Sequence, residues 1–187
     1  MIARRRIIVG ISGASGFQYG VKLLELLAPL DIETHLVLSK AAQQVRAAET
    51  SYSNKEISAL ADVVHSYDDL ACSISSGSYL TLGMIVAPCS MKTLAEIATG
   101  VTPNALSRAA EVVLKERRRL VLMVRETPLT SQHLKNMLSV TEMGGIIAPP
   151  VPAFYNNPTS LNDVIYHSVA RVLDLFDISS PAIKRWV

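Results

Sequence analysis

An α/β fold on a mostly parallel sheet is the class this sequence predicts, and three observations carry the prediction. Short, continuous apolar runs of β type alternate with stretches whose apolar residues recur at helical spacing. The first run empties into a Gly/Ser turn, Gly10-Ile11-Ser12-Gly13-Ala14-Ser15-Gly16, of the kind that starts a helix over the carboxyl end of a strand. No linker, internal repeat or low-complexity stretch interrupts the alternation in 187 residues, so one domain covering 1–187 is expected.

Ile7-Ile8-Val9-Gly10-Ile11 reads as the first strand, and Phe17 to Leu27 as its helix. Thr34 to Leu38 is a second β-type run, closed by Ser39, with a helix from Ala41 to Glu49. Between Thr50 and Ser78 the pattern weakens: Ile57 to Val64 reads as a short helix then a strand, and the Ser-rich 73–78 as a loop. Met84 to Ala87 is a buried-type strand that Pro88 stops; Ser90 caps the following helix and Gly100 ends it. Asn104 caps a helix to Arg117, Leu120 to Val124 is the next strand, and Thr130 starts a helix that closes at Gly144-Gly145. Ile146-Ile147-Ala148 is the last strand. Pro149 to Tyr155 is stiffened by proline, and Ser160-Leu161-Asn162-Asp163 resembles a capping box for a final helix to about Phe176. In such a fold ligands sit where the strands' carboxyl ends and the following turns gather.

Composition narrows the function classes. The chain is 49% apolar, but Asp, Glu, Lys and Arg make up 18% where about 25% is usual. With a mean hydropathy of +0.29, this charge deficit predicts a sizeable subunit interface. Disorder, collagen and coiled coil are excluded. A net charge of +2 is too small to imply a nucleic-acid footprint. Cys72 and Cys89 supply neither a disulfide framework nor zinc spacing, so no metal is expected and a reducing cytoplasm fits best. The apolar run after Arg4-Arg5-Arg6 is broken by Gly10, Ser12 and Gly13, too short for a signal segment, and no window reaches the length of a membrane span.

The first turn has the spacing GxxGxxG rather than the GxGxxG of a dinucleotide site, and the second strand ends in Ser39 rather than an acidic residue for an adenosine ribose. A mononucleotide such as FMN suits it better than NAD; the alternative is a turn kept only for tight packing. Pro88-Cys89-Ser90-Met91-Lys92-Thr93 offers a second helix N-terminus with two hydroxyls, and Ser39-Lys40 belongs to the same rim. Cys89 has no base nearby and reads as a small buried residue. Six of the 18 basic residues lie between Arg108 and Arg125. Arg117-Arg118-Arg119 suits a solvated turn or a subunit contact, whereas Arg108 and Lys115 share one helix face and can converge on an anion. Arg125-Glu126 ends a buried-type strand at the sheet's functional edge. The four histidines are scattered, and His35, His65, His133 and His167 read as structural or exposed.

Taken together, the 10–16 turn, Glu49-Thr50, Ser75-Ser76-Gly77-Ser78, Ala87 to Thr93, Ser107 to Val112, Leu114 to Arg118, Arg125 to Leu129 and Pro149 to Tyr155 resemble, in order and over essentially the whole chain, the flavin prenyltransferases of the UbiX type. The resemblance implies a Rossmann-like (flavodoxin-like) three-layer sandwich, assembled as a homododecamer with sites between subunits. It implies an enzyme that joins a dimethylallyl group from dimethylallyl phosphate to N5 and C6 of reduced FMN without metal. The product, prenylated FMN, would serve UbiD-type decarboxylases. Carried over by residue, the FMN contacts fall on Gly13, Ala14, Ser15, Ser39, Ser90, Met91, Lys92, Thr93 and Arg125, and the dimethylallyl phosphate contacts on Tyr155 and Arg171. Ser15, Glu49, Arg108, Lys115, Glu126 and Trp186 match residues lining the active site. On this reading the cations and the Tyr155 hydroxyl neutralise the leaving phosphate, Glu126 relays a proton with Ser15, and Trp186 shields cationic charge. The rival readings are an FMN-binding carrier without chemistry and a flavin-dependent cysteine decarboxylase of related fold.

Overall fold

The computed structural model describes residues 4–180. The chain runs β1 (Arg5–Ile11), α1 (Phe17–Leu27), β2 (Ile32–Leu38), α2 (Lys40–Glu49), α3 (Asn54–Ser58), β3 (Val63–His65), β4 (Gly83–Cys89), α4 (Met91–Thr99), α5 (Ala105–Lys115), β5 (Arg119–Val124), α6 (Ser131–Glu142), β6 (Ile146–Ile147) and α7 (Leu161–Asp174), with 3-10 turns at Ser73–Ser75 and Phe154–Asn156. The strands form one parallel sheet in the order β3-β2-β1-β4-β5-β6. That is the Rossmann order; without the three-residue edge strand β3 the rest follow the flavodoxin-like arrangement. In either description the order reverses between β1 and β4, which places the ligand crevice above those two strands.

Side-chain alternation along the strands separates two cores. From β1, Ile7, Val9 and Ile11 pack with Phe17, Leu23, Leu24 and Leu27 of α1 and Val169 and Leu173 of α7. On the opposite face Ile8, Met84 and Val86 pack with Leu94 of α4 and Leu106, Ala109, Ala110 and Val113 of α5. The result is three layers, helix, sheet and helix, as the fold class requires. Burial on both faces explains why the central strands read as continuous apolar runs.

Several boundaries differ from the expectation, each for a local reason. The strand expected to stop before Pro88 continues through it: β4 runs to Cys89, with a register shift against β5 between Val86 and Cys89 where proline has no N–H for the ladder. The ladder resumes as the Arg125 N–H donates to the Cys89 carbonyl at 3.0 Å. The helix expected to reach Arg117 ends at Lys115, because Arg117 takes a left-handed φ of 56°. The final helix stops at Asp174 instead of Phe176. The last strand holds only Ile146–Ile147, although the Ala148 N–H still donates to Leu122 at 2.9 Å.

Candidate active site

At the switch point two turns are joined by one buried hydroxyl. The Ser12 N–H and Oγ both donate to the Pro88 carbonyl, at 3.2 and 2.9 Å, and Oγ accepts from the Ser90 N–H at 2.7 Å. The next turn is tied on by the Ser39 N–H, which donates to the Ile11 carbonyl at 3.0 Å. Close approach explains a glycine here: a Cβ on Gly13 would lie 2.3 Å from the Ala41 Cβ, so only hydrogen fits where the start of α2 crosses the first turn. Gly16 supplies the left-handed φ of 100° that turns the chain into α1. Serine caps then orient two helix starts. Ser39 Oγ accepts the Ala42 N–H at 3.0 Å for α2, and Ser90 Oγ accepts the Thr93 N–H at 3.3 Å for α4. Three helix N-termini therefore gather at one edge, each with first-turn N–H groups that no helix can satisfy internally. The sequence-derived residues Gly13, Ala14, Ser15, Ser39, Ser90, Met91, Lys92 and Thr93 all fall on this rim. The Lys92 ammonium itself is exposed and pairs with Glu96 at 2.7 Å.

Glu49, at the end of α2, reaches back to the start of α1. One carboxylate oxygen accepts the N–H groups of Gly16 and Phe17 at 2.9 and 3.0 Å. Burial pushes this carboxyl up. The hydrogen bonds from the Ser15 side chain and from the Phe17 and Gly16 N–H groups, with the charge of Arg125, outweigh it and hold Glu49 below the usual carboxylate range. Ser15, Glu49 and Arg125 line a cavity of about 290 Å³ with Tyr19, Pro150 and Ile165. Burial raises the Tyr19 phenol and Arg125 opposes it.

A second cavity of about 240 Å³ shares the Pro150 wall and is lined by Val151, His167 and Arg171. Tyr155, on the 3-10 turn, places its hydroxyl 3.2 Å from His167 Nε2, and Arg171 pairs with Asp174. The structure thus brings Ser15, Glu49 and Arg125 together, and sets Arg171 on the adjoining cavity, with Tyr155 joined to it through His167. It does not bring Arg108, Lys115 or Glu126 there within one chain. Arg108 pairs with Glu111 at 2.7 Å, Lys115 pairs with Glu116, and exposed Glu126 accepts the Thr127 N–H at 3.0 Å. Trp186 lies outside the described residues. Cys89 is fully buried and burial pushes its thiol up, which disfavours the thiolate a nucleophile needs. Sequence reasoning did not single out Tyr19, Pro150, Ile165 or His167; for His167 the available signal was its position four residues before Arg171, one turn along the same helix face.

Comparison with known proteins gives this geometry its relatives. Residues 1–173 match the Flavoprotein family. The flavin prenyltransferase UbiX of Neisseria meningitidis is 60% identical over 182 residues, covering 97% of this chain and 96% of that protein. The chain belongs to the UbiX family of flavoproteins. A crystal structure of AnUbiX with FMN and dimethylallyl pyrophosphate superposes with a TM-score of 0.97 at 52% identity, covering 99% of this chain and 98% of that one. A dodecameric FMN-dependent UbiX-like decarboxylase from Escherichia coli gives 0.95 at 51% identity, covering 97% and 99%. More distant folds share the architecture alone, among them the FMN-dependent cysteine decarboxylase TvaF at 17% identity and a TM-score of 0.62. UbiX relatives thus match the described sheet and rim along nearly their full lengths. Among the described residues no helix is long and apolar enough to cross a membrane.

Proposed function

We propose that this chain is a flavin prenyltransferase that transfers the dimethylallyl group of dimethylallyl phosphate to N5 and C6 of reduced FMN and releases phosphate. The observation that carries the reading is the meeting of two unlike spaces along Pro150: the Ser15–Glu49–Arg125 cavity beside an N–H-rich rim, and the cavity of Arg171 and His167, whose imidazole meets the Tyr155 hydroxyl. The rim fits the phosphate of FMN: the N–H groups of Gly13, Ser15, Met91 and Lys92 face it as donors, while those of Ala14 and Thr93 are held by the Ser12 carbonyl and the Ser90 hydroxyl, and the Ser39 and Ser90 side chains lie beside them. Reduced FMN, when bound, supplies the nucleophilic flavin atoms. Arg125 adds a cation, and Glu49, bonded by Ser15, holds the start of α1 against that site. Tyr155 and Arg171 bind the departing phosphate by charge-assisted hydrogen bonds.

Arg108, Lys115 and Glu126 line neither cavity of their own chain, which supports their acting in the site of a neighbouring copy within a homododecamer. There the two cations neutralise phosphate and Glu126 moves a proton with Ser15. Exposed apolar residues supply surface for such contacts, with Leu134 and Leu138 on α6 and Val151 and Phe154 beside the second cavity. Trp186 keeps its assignment as a cationic shield. We assign the protein to the cytoplasm, acting without metal as one domain and handing prenylated FMN to a UbiD-type decarboxylase. A carrier would not need Tyr155, Arg171, Arg108, Lys115 and Glu126 together, and the cysteine decarboxylases resemble the chain in fold alone.

Phosphate release tests the proposal. Under anaerobic conditions, dimethylallyl phosphate is expected to yield inorganic phosphate only when reduced FMN is present, one phosphate per flavin consumed. Release without flavin would make the protein a phosphatase and contradict the reading. Glu126→Gln is expected to retain FMN binding and slow turnover by about 100-fold, the scale of lost general acid–base catalysis; an unaltered rate removes Glu126 from proton transfer.

A further inference from the structure

We infer that His167 is a positioning residue that anchors Tyr155 at the Arg171 cavity and so preassembles the phosphate end of the site. The inference rests on the reading of that cavity as the dimethylallyl phosphate subsite.

His167 and Arg171 stand four residues apart on α7, so both side chains leave the same helix face, and both line the cavity walled by Pro149, Pro150 and Val151. His167 is only 8% exposed, while Tyr155 is 47% exposed. The two rings meet edge to face, with centroids 5.7 Å apart and planes at 83°, and the phenol oxygen lies 3.2 Å from Nε2. Two independent contacts, one polar and one aromatic, thus fix the ring of a half-exposed tyrosine. That anchoring is needed because the segment carrying Tyr155 leaves the sheet after β6 and has short local backbone bonds, Val151 to Pro149 at 2.8 Å and Asn157 to Phe154 at 3.0 Å. The neighbouring Ser168 hydroxyl is spent on the Val164 carbonyl at 2.8 Å.

The chemistry of the imidazole suits the role. Burial and the charge of Arg171 both push His167 below its ordinary value, against an opposing pull from Asp174, and the net lowering favours the neutral ring. A neutral imidazole adds no second cation beside Arg171. With Nε2–H donating to the phenol oxygen, the imidazole holds the phenol in one orientation without adding charge. His167 therefore acts through Tyr155 and touches no reacting atom.

The test is equilibrium binding of dimethylallyl phosphate to protein loaded with oxidised FMN, measured by calorimetry. His167→Phe keeps the ring volume and removes both nitrogens. It is expected to weaken binding by about 3- to 10-fold, the scale of one hydrogen bond and one ordered side chain. Tyr155→Phe is expected to lose a similar factor, the double variant no more than either single one, and His167→Gln, which returns a polar atom near the Nε2 position, to recover most of the loss. FMN affinity should be unchanged throughout. Wild-type affinity in His167→Phe, multiplied losses in the double variant, or weakened FMN binding would each overturn the inference. If His167→Phe does not fold, His167→Gln against His167→Asn decides, since only Gln reaches Tyr155; equal affinities would overturn it. Wild type that binds dimethylallyl phosphate but makes no prenylated flavin sinks the proposed function while these ratios still judge His167. Wild type that does not bind it overturns both.

Discussion

Glu49 ties together chain segments 33 residues apart, and its value lies in its charge. The carboxylate accepts two first-turn N–H groups of α1, the arrangement that a helix N-terminus favours for an anion. Because its folded-state pKa is lowered, its contribution to stability is full above the ordinary value of 4.5 and fades as pH falls through the lowered value. Glu49→Gln should therefore cost about 1 kcal/mol near neutral pH, and chemical denaturation at several pH values should show the gap closing in acid. A gap that persists at low pH would assign the loss to shape instead. Residues at strand ends, such as Ser15, Ser39 and Arg125, were legible because the α/β rule says where to look. Glu49 entered only through the family resemblance, since nothing in its local sequence points to a partner so distant. His167 was passed over as a lone histidine, and only the fold shows what it faces.

Among the elements, those with a clear period were readable and the short ones were not. The apolar spacing of α1 and the buried runs of β1 and β5 follow directly from layers that cover both sheet faces. Between Thr50 and Ser78, α3 and β3 span too few residues to display a period, so the helix-then-strand order was right while the limits were loose. The rule that proline ends a strand failed at Pro88 because the ladder skips that residue and resumes at Cys89. Caps were the best local signal: Ser90, Asn104, Thr130 and Ser160 each accept a first-turn N–H as expected. Asn104 is almost fully buried, accepts the Ser107 N–H at 2.9 Å and donates to Glu96 at 3.1 Å. Asn104→Ala should destabilise by about 1–2 kcal/mol, a fall in denaturation midpoint without a change in slope.

For the whole molecule, the shortage of charge and the separation of the cationic residues have one explanation. The 18% charged content leaves neutral faces, and Arg108 and Lys115 on α5 stand apart from both cavities; the proposed closed assembly would cover the first and place the second. Light scattering should give about twelve times the 20.3 kDa of one chain, as the dodecameric relative suggests; a monomer mass would remove the shared-site account. The chemistry itself is read most directly from the flavin. After anaerobic incubation with reduced FMN and dimethylallyl phosphate, with a chelator and no added metal, mass spectrometry of the extracted flavin should show a species heavier by one prenyl unit. Flavin of unchanged mass, from protein that has bound both compounds, would contradict the account.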